Sequence, residues 1–257
     1  MLSIQSKIHA LLQVADQYGA RRAALFGYRL VVIRRLWKLA NKLLPCRVRC
    51  PCCGWEGYRF QDYVEPGYKM SGVICPQCES HPRHRALYLW LVRENILPQR
   101  NGQALIFAPE PALRTVWNHA PNLRTVMIDL DATRDIDLVA DVRALPFASG
   151  SLKLIWCHHV LEHVQSDLAA ISELARVLSK EGGELIVSVP TQRGSSTVEF
   201  GFPDPLQTGH WRIYGDDFPE RLSACGLHAE ELNLHLTTEE REKYVIPDEP
   251  IFRCRRA

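Results

Sequence analysis

The chain has 257 residues, of which 46% are hydrophobic and 23% are charged, a composition typical of a globular protein with one large domain and an appendage. No apolar run approaches the roughly 20 residues that a membrane-spanning helix needs. The N-terminus also lacks the basic start and long apolar middle of a signal peptide, so we expect a cytoplasmic protein.

The net charge of +2 conceals an asymmetry along the chain. Residues 1–60 hold eleven Lys and Arg against two Asp and Glu, whereas the remainder holds twenty against twenty-seven. The basic part could face an anionic partner such as nucleic acid, a membrane or a phosphorylated carrier. Alternatively, it is a solvated face, or it docks onto the acidic part of the same chain.

Residues 1–45 are predicted to form basic amphipathic helices. Residues 2–17 carry one apolar helical face, which the residues YG at 18–19 interrupt. Residues 21–44 repeat this pattern, with basic residues on a different face, and we expect this helix to end near Pro45. The apolar face consists of Phe26, Leu30, Ile33, Trp37, Ala40 and Leu44. Residues 21–44 are therefore predicted either to pack on the protein's own core or to contact the inner face of a membrane.

Residues 46–82 are predicted to form a zinc-ribbon-like region. The motifs CPCCG at 50–54 and CPQCE at 75–79 each place two cysteines three positions apart, so both thiolates can reach one ion. Reduced cysteines in a cytosolic chain favour metal over disulfides. The predicted ligands are Cys50, Cys53, Cys75 and Cys78, and a closed shell of four thiolates indicates a structural site. Cys46, Cys52, His81 and His84 remain alternative ligands.

Residues 83–102 are predicted to contain a linking helix, and residues 103–257 to form the large domain. Apolar strands alternate there with helical stretches. The predicted strands are 104–108, 125–129, 137–141, 152–157, 183–190, 227–236 and 249–256, and the predicted helices are 111–120, 166–179 and 215–226. Such alternation predicts an α/β fold with a mostly parallel sheet and helices on both faces.

The stretch DVRALPFASGSLKLIWCHHVLEHV, followed by GGELIVSVP, resembles the class I S-adenosylmethionine-dependent methyltransferases, in particular the type 11 branch. The resemblance covers about residues 103–255. It implies a seven-stranded, Rossmann-like sheet with a reversed last strand, and S-adenosylmethionine as cofactor. A subgroup that pairs an N-terminal zinc knuckle with an F-A-P-E loop is similar to this chain.

The resemblance also implies a set of cofactor-binding residues. Asp141 matches the carboxylate that contacts the adenine amino group, and Asp129 matches the one that binds the ribose hydroxyls, with Asp131 as a near-equal candidate. The first loop departs from the family, because APEPA at 108–112 replaces the glycine-rich turn. There, Ala108 is small enough for close approach, and Glu110 is predicted to hold the ammonium group. His158 follows the fourth strand of the family fold and is predicted to line the same pocket.

Residues 191–218 form a long polar segment that is predicted to be a lid or an acceptor site. Its motif H-W-R-x-Y resembles one of the same subgroup. Arg212 and Tyr214 are predicted to bind an acceptor, and His210 to remove its proton. His158, His159, Glu162 and His163 compete for the role of base, and the predicted catalytic residues are His210, His158 and Glu162.

The predicted function is methyl transfer to an oxygen or nitrogen acceptor, with a slight preference for a small molecule or a cell-envelope glycan or lipid-linked intermediate. The zinc ribbon and basic flank suggest RNA as an alternative acceptor. A non-catalytic binding module of degenerate methyltransferase fold is the third hypothesis, and the altered first loop favours it.

Overall fold

A computed structural model describes residues 12, 14–65 and 68–257, which divide into two compact units. The first unit runs from the N-terminus to Arg85 and includes Pro205–Thr208 and Leu236–Pro247. The second comprises Ala86–Asp204, Gly209–His235 and Asp248–Ala257. Most of the predicted helix over residues 2–17 lies outside the described residues.

The first unit begins with helices. Residues 14–18 form α1, Gly19 has φ 86°, and α2 then spans Ala20–Tyr28. A π-helical turn at Arg29–Ile33 joins α2 to α3, Arg34–Leu43. Leu44 is extended, as the following proline requires, so the predicted stop is correct. No described helix is long and apolar enough to cross a membrane.

These helices carry two apolar faces, and the sequence pattern predicted the one that includes Phe26, Ile33 and Trp37. The predicted face is largely half-buried, as at Phe26, Ile33 and Trp37. The second face is exposed to solvent and its members are three or four positions apart, ranging from 42% exposed at Val32 to 73% at Leu43. It comprises Leu25, Tyr28, Val32, Leu36, Leu39 and Leu43, and we call it the exposed apolar face.

Two short hairpins follow, within the region predicted to be zinc-ribbon-like. Strand β1, Val48–Arg49, pairs antiparallel with β2, Glu56–Gly57, and β3, Gln61–Val64, pairs antiparallel with β4, Lys69–Ile74. Helix α4, Pro82–Arg93, comes next.

Arg85 ties the first unit together, although its side chain is fully buried. Its guanidinium donates to the carbonyl oxygens of Val73 and Ser80, at 3.0 and 2.7 Å, and stacks on the ring of Phe60. It also donates to the carbonyl oxygens of Tyr244 and Val245, at 2.6 and 3.0 Å. Tyr244 ends α7, Thr238–Tyr244, so this segment from late in the chain completes the same unit as the hairpins.

The second unit is built on a seven-stranded sheet. Its strands are β5 Gly102–Phe107, β6 Leu123–Asp129, β7 Leu138–Val139, β8 Leu154–His158, β9 Glu184–Ser188, β12 Leu227–Glu231 and β13 Phe252–Arg256. Their order is β12-β13-β9-β8-β5-β6-β7, and β13 runs antiparallel to both of its neighbours while the other pairs are parallel. The predicted α/β fold with a reversed last strand is therefore confirmed.

The core of this unit lies where the central strands meet helices α5, Asp167–Val177, and α6, Phe218–Ala224. Strands β8 and β9 are buried along their whole length, as expected of parallel strands that helices cover. Leu174, Leu185 and Phe218 are fully buried members of this core.

Two local predictions differ from the structure. Residues 111–120 form a turn and a 3-10 helix, Arg114–His119, instead of an α-helix, because the residues TVWNH at 115–119 all have weak helix propensities. The segment predicted as a lid contains a hairpin of β10, Val198–Asp204, and β11, His210–Ile213. Burial does not alternate along β10, which is exposed or half-buried throughout, so its sequence carries no clear strand pattern.

Candidate functional site

A cleft of about 490 Å³ opens at the edge where the parallel strands β5, β6 and β8 end. This volume is within the range of small-molecule sites. Its lining includes Ala108, Asp129, Asp141, His159, His163 and Trp211. The carboxyl ends of strands are where open α/β sheets bind their ligands.

Ala108 occupies the position where a glycine-rich turn was expected. Its φ is 43°, in the left-handed region that favours glycine, and its backbone N–H donates to the carbonyl oxygen of Ile128 at 2.8 Å. The turn thus has a glycine-like path with a methyl side chain. His159, which also lines the cleft, has φ 52°, so two non-glycine residues hold strained conformations at this site.

The structure distinguishes Asp129 from Asp131, which the sequence indicated as near-equal candidates for the ribose-binding carboxylate. Asp129 ends β6 and lines the cleft, where its carboxylate accepts from the Asp131 backbone N–H at 3.0 Å and pairs with Arg134 at 3.1 Å. Asp131 is exposed, and its carboxylate caps the turn by accepting from the N–H and hydroxyl of Thr133. Asp129 is therefore the better placed of the two for a ribose.

Asp141 lines the cleft beyond β7. Arg143 donates to it from its backbone N–H and from its guanidinium, at 2.6–3.1 Å. These bonds hold the pKa of the Asp141 carboxyl below its usual range, so it is an ionised acceptor at neutral pH.

The other two predicted cofactor residues are not among those that line the cleft. His158 is buried, with Nδ1 at 2.7 Å from the Ser188 hydroxyl and its ring at 4.5 Å from that of Trp156. Glu110 is half-buried in the turn that precedes the 3-10 helix. Their predicted roles remain predictions.

Glu162, His163 and His210 come together beside the cleft. Their side-chain ligand atoms all lie within 4.8 Å of one another, and the rings of His163 and His210 meet edge to face at 4.7 Å. Glu162 is fully buried, and one of its oxygens is 3.3 Å from His159 Nδ1. Burial lowers the pKa of His210, although Glu162 opposes this effect, so its imidazole is neutral at pH 7.

Arg212 and Tyr214 are buried within the protein, so their predicted role in acceptor binding is not supported. Arg212 donates to the carbonyl oxygens of Leu161, Val164 and Gln165, at 3.1, 2.6 and 2.7 Å, and pairs with Glu199. We call this set of bonds the Arg212 clamp.

Tyr214 is likewise fully buried and donates to the Asp167 carboxylate at 3.0 Å. The hydrogen-bond acceptors of Arg212 thus belong to the chain itself, and its predicted contact with an acceptor molecule remains a prediction. Trp211, between the two buried neighbours His210 and Arg212, is the residue of this motif that lines the cleft.

The four cysteines predicted as metal ligands converge in the first unit. Cys50 Sγ lies 3.6 Å from Cys78 Sγ, and Cys53 Sγ lies 3.7 Å from Cys75 Sγ. Four sulfurs at about 2.3 Å from a zinc ion would lie about 3.8 Å apart, so the donor set fits zinc.

The alternative cysteine ligands are less suitable. Cys52 donates to the His84 carbonyl oxygen at 3.8 Å and lies outside the group of four converging cysteines. Cys46 is exposed and lies outside the group of four.

The strand order and the cleft define a class I methyltransferase fold. Residues 111–187 match the family described as "Methyltransferase domain". This match covers less than a third of the chain. No curated protein matches the chain in sequence.

Solved structures similar to the chain include several methyltransferases. The putative methyltransferase in complex with the Trm112 activator from Haloferax volcanii has 16% identity and a TM-score of 0.47, with 68% of this chain and 88% of that one covered. A putative methyltransferase from Bacillus halodurans C-125 has 17% identity and a TM-score of 0.41, with 66% and 97% covered. A geranyl diphosphate methyltransferase has 12% identity and a TM-score of 0.45, with 68% and 77% covered.

The buried contacts of Arg212 predict a large effect of a conservative change. Lysine cannot donate to three diverging carbonyl oxygens at once, so Arg212→Lys should lower the free energy of unfolding by about 2–4 kcal/mol. Urea denaturation measures this loss. Arg193→Lys is the matched control, because the Arg193–Glu231 pair is exposed on both sides and should contribute about 1 kcal/mol at most. Equal midpoints for Arg212→Lys and wild type would contradict the structural role.

Proposed function

We propose that the protein is an S-adenosylmethionine-dependent methyltransferase that acts on an oxygen or nitrogen acceptor. The observation that carries the proposal is the pair of carboxylates, Asp129 and Asp141, in the cleft at the strand ends. Carboxylates at these positions suit a nucleoside, because each can accept hydrogen bonds from ribose hydroxyls or an exocyclic amine. We keep the preference for a small-molecule or envelope-linked acceptor as part of the proposal.

In this proposal the chain mainly binds and aligns the reactants. When bound, S-adenosylmethionine supplies an electrophilic methyl group; the acceptor's lone pair forms the new bond while the sulfur keeps the electrons of the broken carbon–sulfur bond. Ala108 allows the backbone to approach the cofactor, and Trp211 provides a flat apolar wall for either ligand. Alignment of this kind supplies most of the rate enhancement for an in-line displacement.

A base must take the acceptor's proton. His159 and His163 line the cleft, and His210 lies against His163. The lowered pKa of His210 leaves its imidazole able to accept a proton at neutral pH, directly or through His163. His210 is therefore our proposed base. His158 is a weaker candidate, because it is buried and its Nδ1 is hydrogen-bonded to the Ser188 hydroxyl.

Cofactor binding should depend on Asp129 and on Asp141, but not on the neighbouring Asp131. Asp129→Ala and Asp141→Ala should each weaken binding by roughly 1–3 kcal/mol, about five- to over a hundredfold, because each removes one or two hydrogen bonds. Isothermal titration with S-adenosylmethionine and with S-adenosylhomocysteine measures this. Asp131→Ala is the control and should bind as wild type does, since its carboxylate is exposed and caps a turn. A wild type that binds neither compound at millimolar concentration would favour the non-catalytic binding module.

We also propose that Cys50, Cys53, Cys75 and Cys78 hold one structural zinc ion. Closed coordination by four thiolates leaves no position for a substrate, so the ion would stabilise the hairpins of the first unit. The buried guanidinium of Arg85 lies in this unit and adds positive charge near the thiolates.

Replacement of one ligand should therefore release the metal. Purified wild type should contain close to one zinc per chain, and Cys75→Ser should contain much less and melt at a lower temperature, because three thiolates bind zinc less tightly. Elemental analysis and thermal melting measure both. Cys46→Ser removes an exposed cysteine and should change neither. Full zinc content in Cys75→Ser would assign the metal to other ligands.

The exposed apolar face favours a further proposal, that α2 and α3 bind to an anionic membrane surface. Large apolar side chains seldom form a continuous exposed stripe in monomeric proteins. Basic residues accompany this stripe, and the segment from Ala20 to Leu43 contains no Asp or Glu. A basic helix with an exposed apolar face is the form that lies in a membrane interface.

Charge on the exposed apolar face should abolish such binding. The double variant Leu36→Glu/Leu39→Glu should bind phosphatidylglycerol-containing vesicles at least about tenfold more weakly than wild type, because it lacks two leucines that would be buried in the membrane interface. Vesicle co-sedimentation measures this, and added salt should weaken the wild type. Leu168→Glu alters an exposed leucine on α5 and serves as the control. Equal binding of wild type and double variant would refute the membrane proposal, and binding of RNA alone would favour an RNA acceptor.

A further inference from the structure

The cluster of Glu162, His163 and His210 has the composition of a metal site. It combines one carboxylate and two imidazoles, whose ligand atoms lie within 4.8 Å of one another. In a tetrahedral shell, ligands at about 2.1 Å from a first-row ion lie about 3.4 Å apart. The His163 side chain is exposed, so a small rotation can close the remaining gap.

The surroundings of the cluster favour a cation. Glu162 is fully buried, and buried carboxylates are normally paired or coordinate metals. One of its oxygens lies 3.3 Å from His159 Nδ1. Carboxylates that bind a metal commonly have such a hydrogen-bond partner in addition to the ion. Asp204, which pairs in register with His210 on the hairpin, adds a second negative charge near that imidazole.

The fold holds the three ligands from two sides. Glu162 and His163 lie on the 3-10 turn Leu161–His163, and His210 begins β11. The Arg212 clamp joins these elements, because Arg212 on β11 donates to the carbonyl oxygens of Leu161, Val164 and Gln165 that surround the turn. The relative position of the ligands is therefore fixed by buried hydrogen bonds.

We propose that Glu162, His163 and His210 bind one divalent first-row transition-metal ion beside the cleft. Two imidazoles and one carboxylate leave coordination positions open, unlike the four cysteines of the first unit. The role of the ion rests on the proposed methyltransferase function: His163 lines the cleft, so an acceptor hydroxyl there can bind the ion. Coordination lowers the pKa of the hydroxyl, which loses its proton to water before the oxygen forms its bond to the methyl group. With the ion bound, His210 is a ligand, and the ion replaces the base role assigned to His210 above. The acceptor class is thereby narrowed to oxygen.

Manganese(II) is a suitable probe, because it prefers nitrogen and oxygen ligands to the thiolates of the cysteine site. The full-length protein, with its zinc content first adjusted to one ion per chain and checked by elemental analysis, is titrated with Mn²⁺, and the free ion is measured by its electron paramagnetic resonance signal. Wild type should bind one Mn²⁺, and His163→Ala and Glu162→Gln should each bind it at least about tenfold more weakly. His163→Ala changes an exposed side chain, so it tests the site even where Glu162→Gln fails to fold. His228→Ala, at an exposed histidine on β12, should bind as wild type does.

Two results would overturn the inference: no Mn²⁺ bound to wild type, or equal binding by wild type and His163→Ala. Titration of the same preparation with S-adenosylmethionine separates this failure from that of the proposed function. Cofactor binding without Mn²⁺ binding removes the metal site and leaves the methyltransferase proposal intact. Mn²⁺ binding that depends on His163, without cofactor binding, supports the metal site and removes the role in methyl transfer.

Discussion

The Arg212 clamp is the interaction on which the arrangement of the candidate site depends. A guanidinium that is 3% exposed satisfies three backbone carbonyl oxygens and a carboxylate, so both the charge and the carbonyls are compensated away from water. Loss of the guanidinium would leave these three carbonyl oxygens without their donor, which costs more than the bonds themselves. The hairpin and the 3-10 turn are consequently held as one piece, and His210, Trp211 and His163 keep their positions relative to the strand ends.

The sheet supplies the other half of the site. Parallel strands place their last residues at one edge, so Ala108, Asp129 and His159 meet there although they are far apart in sequence. Ala108 and His159, whose backbones are both in the left-handed region, line this cleft. Parallel strands thus bring the ionisable groups and two strained residues together at one edge of the sheet.

Sequence patterns predicted the sheet well, because the buried strands β8 and β9 are continuous apolar runs and the helix α5 has one apolar side. They also predicted the four converging cysteines, whose spacing is local. Burial of polar side chains could not be predicted in the same way: Arg212 looks like a surface ligand in the sequence, and only the structure places it against three carbonyl oxygens. The proximity of Glu162, His163 and His210 could not be predicted for a similar reason, since Glu162 and His163 are adjacent but His210 is brought to them by a hairpin whose first strand, β10, lacks alternating burial.

The contacts of Arg85 have a consequence for how the chain is made. Its buried guanidinium needs the carbonyl oxygens of Tyr244 and Val245, which come 159 and 160 positions later in the chain. During translation the cysteine hairpins are therefore made long before these two acceptors, and the unit that contains them cannot be completed until then. A fragment that ends at Arg85 would keep the cysteines but lose two hydrogen-bond acceptors of this guanidinium. It would therefore be less stable than the first unit in the 257-residue chain.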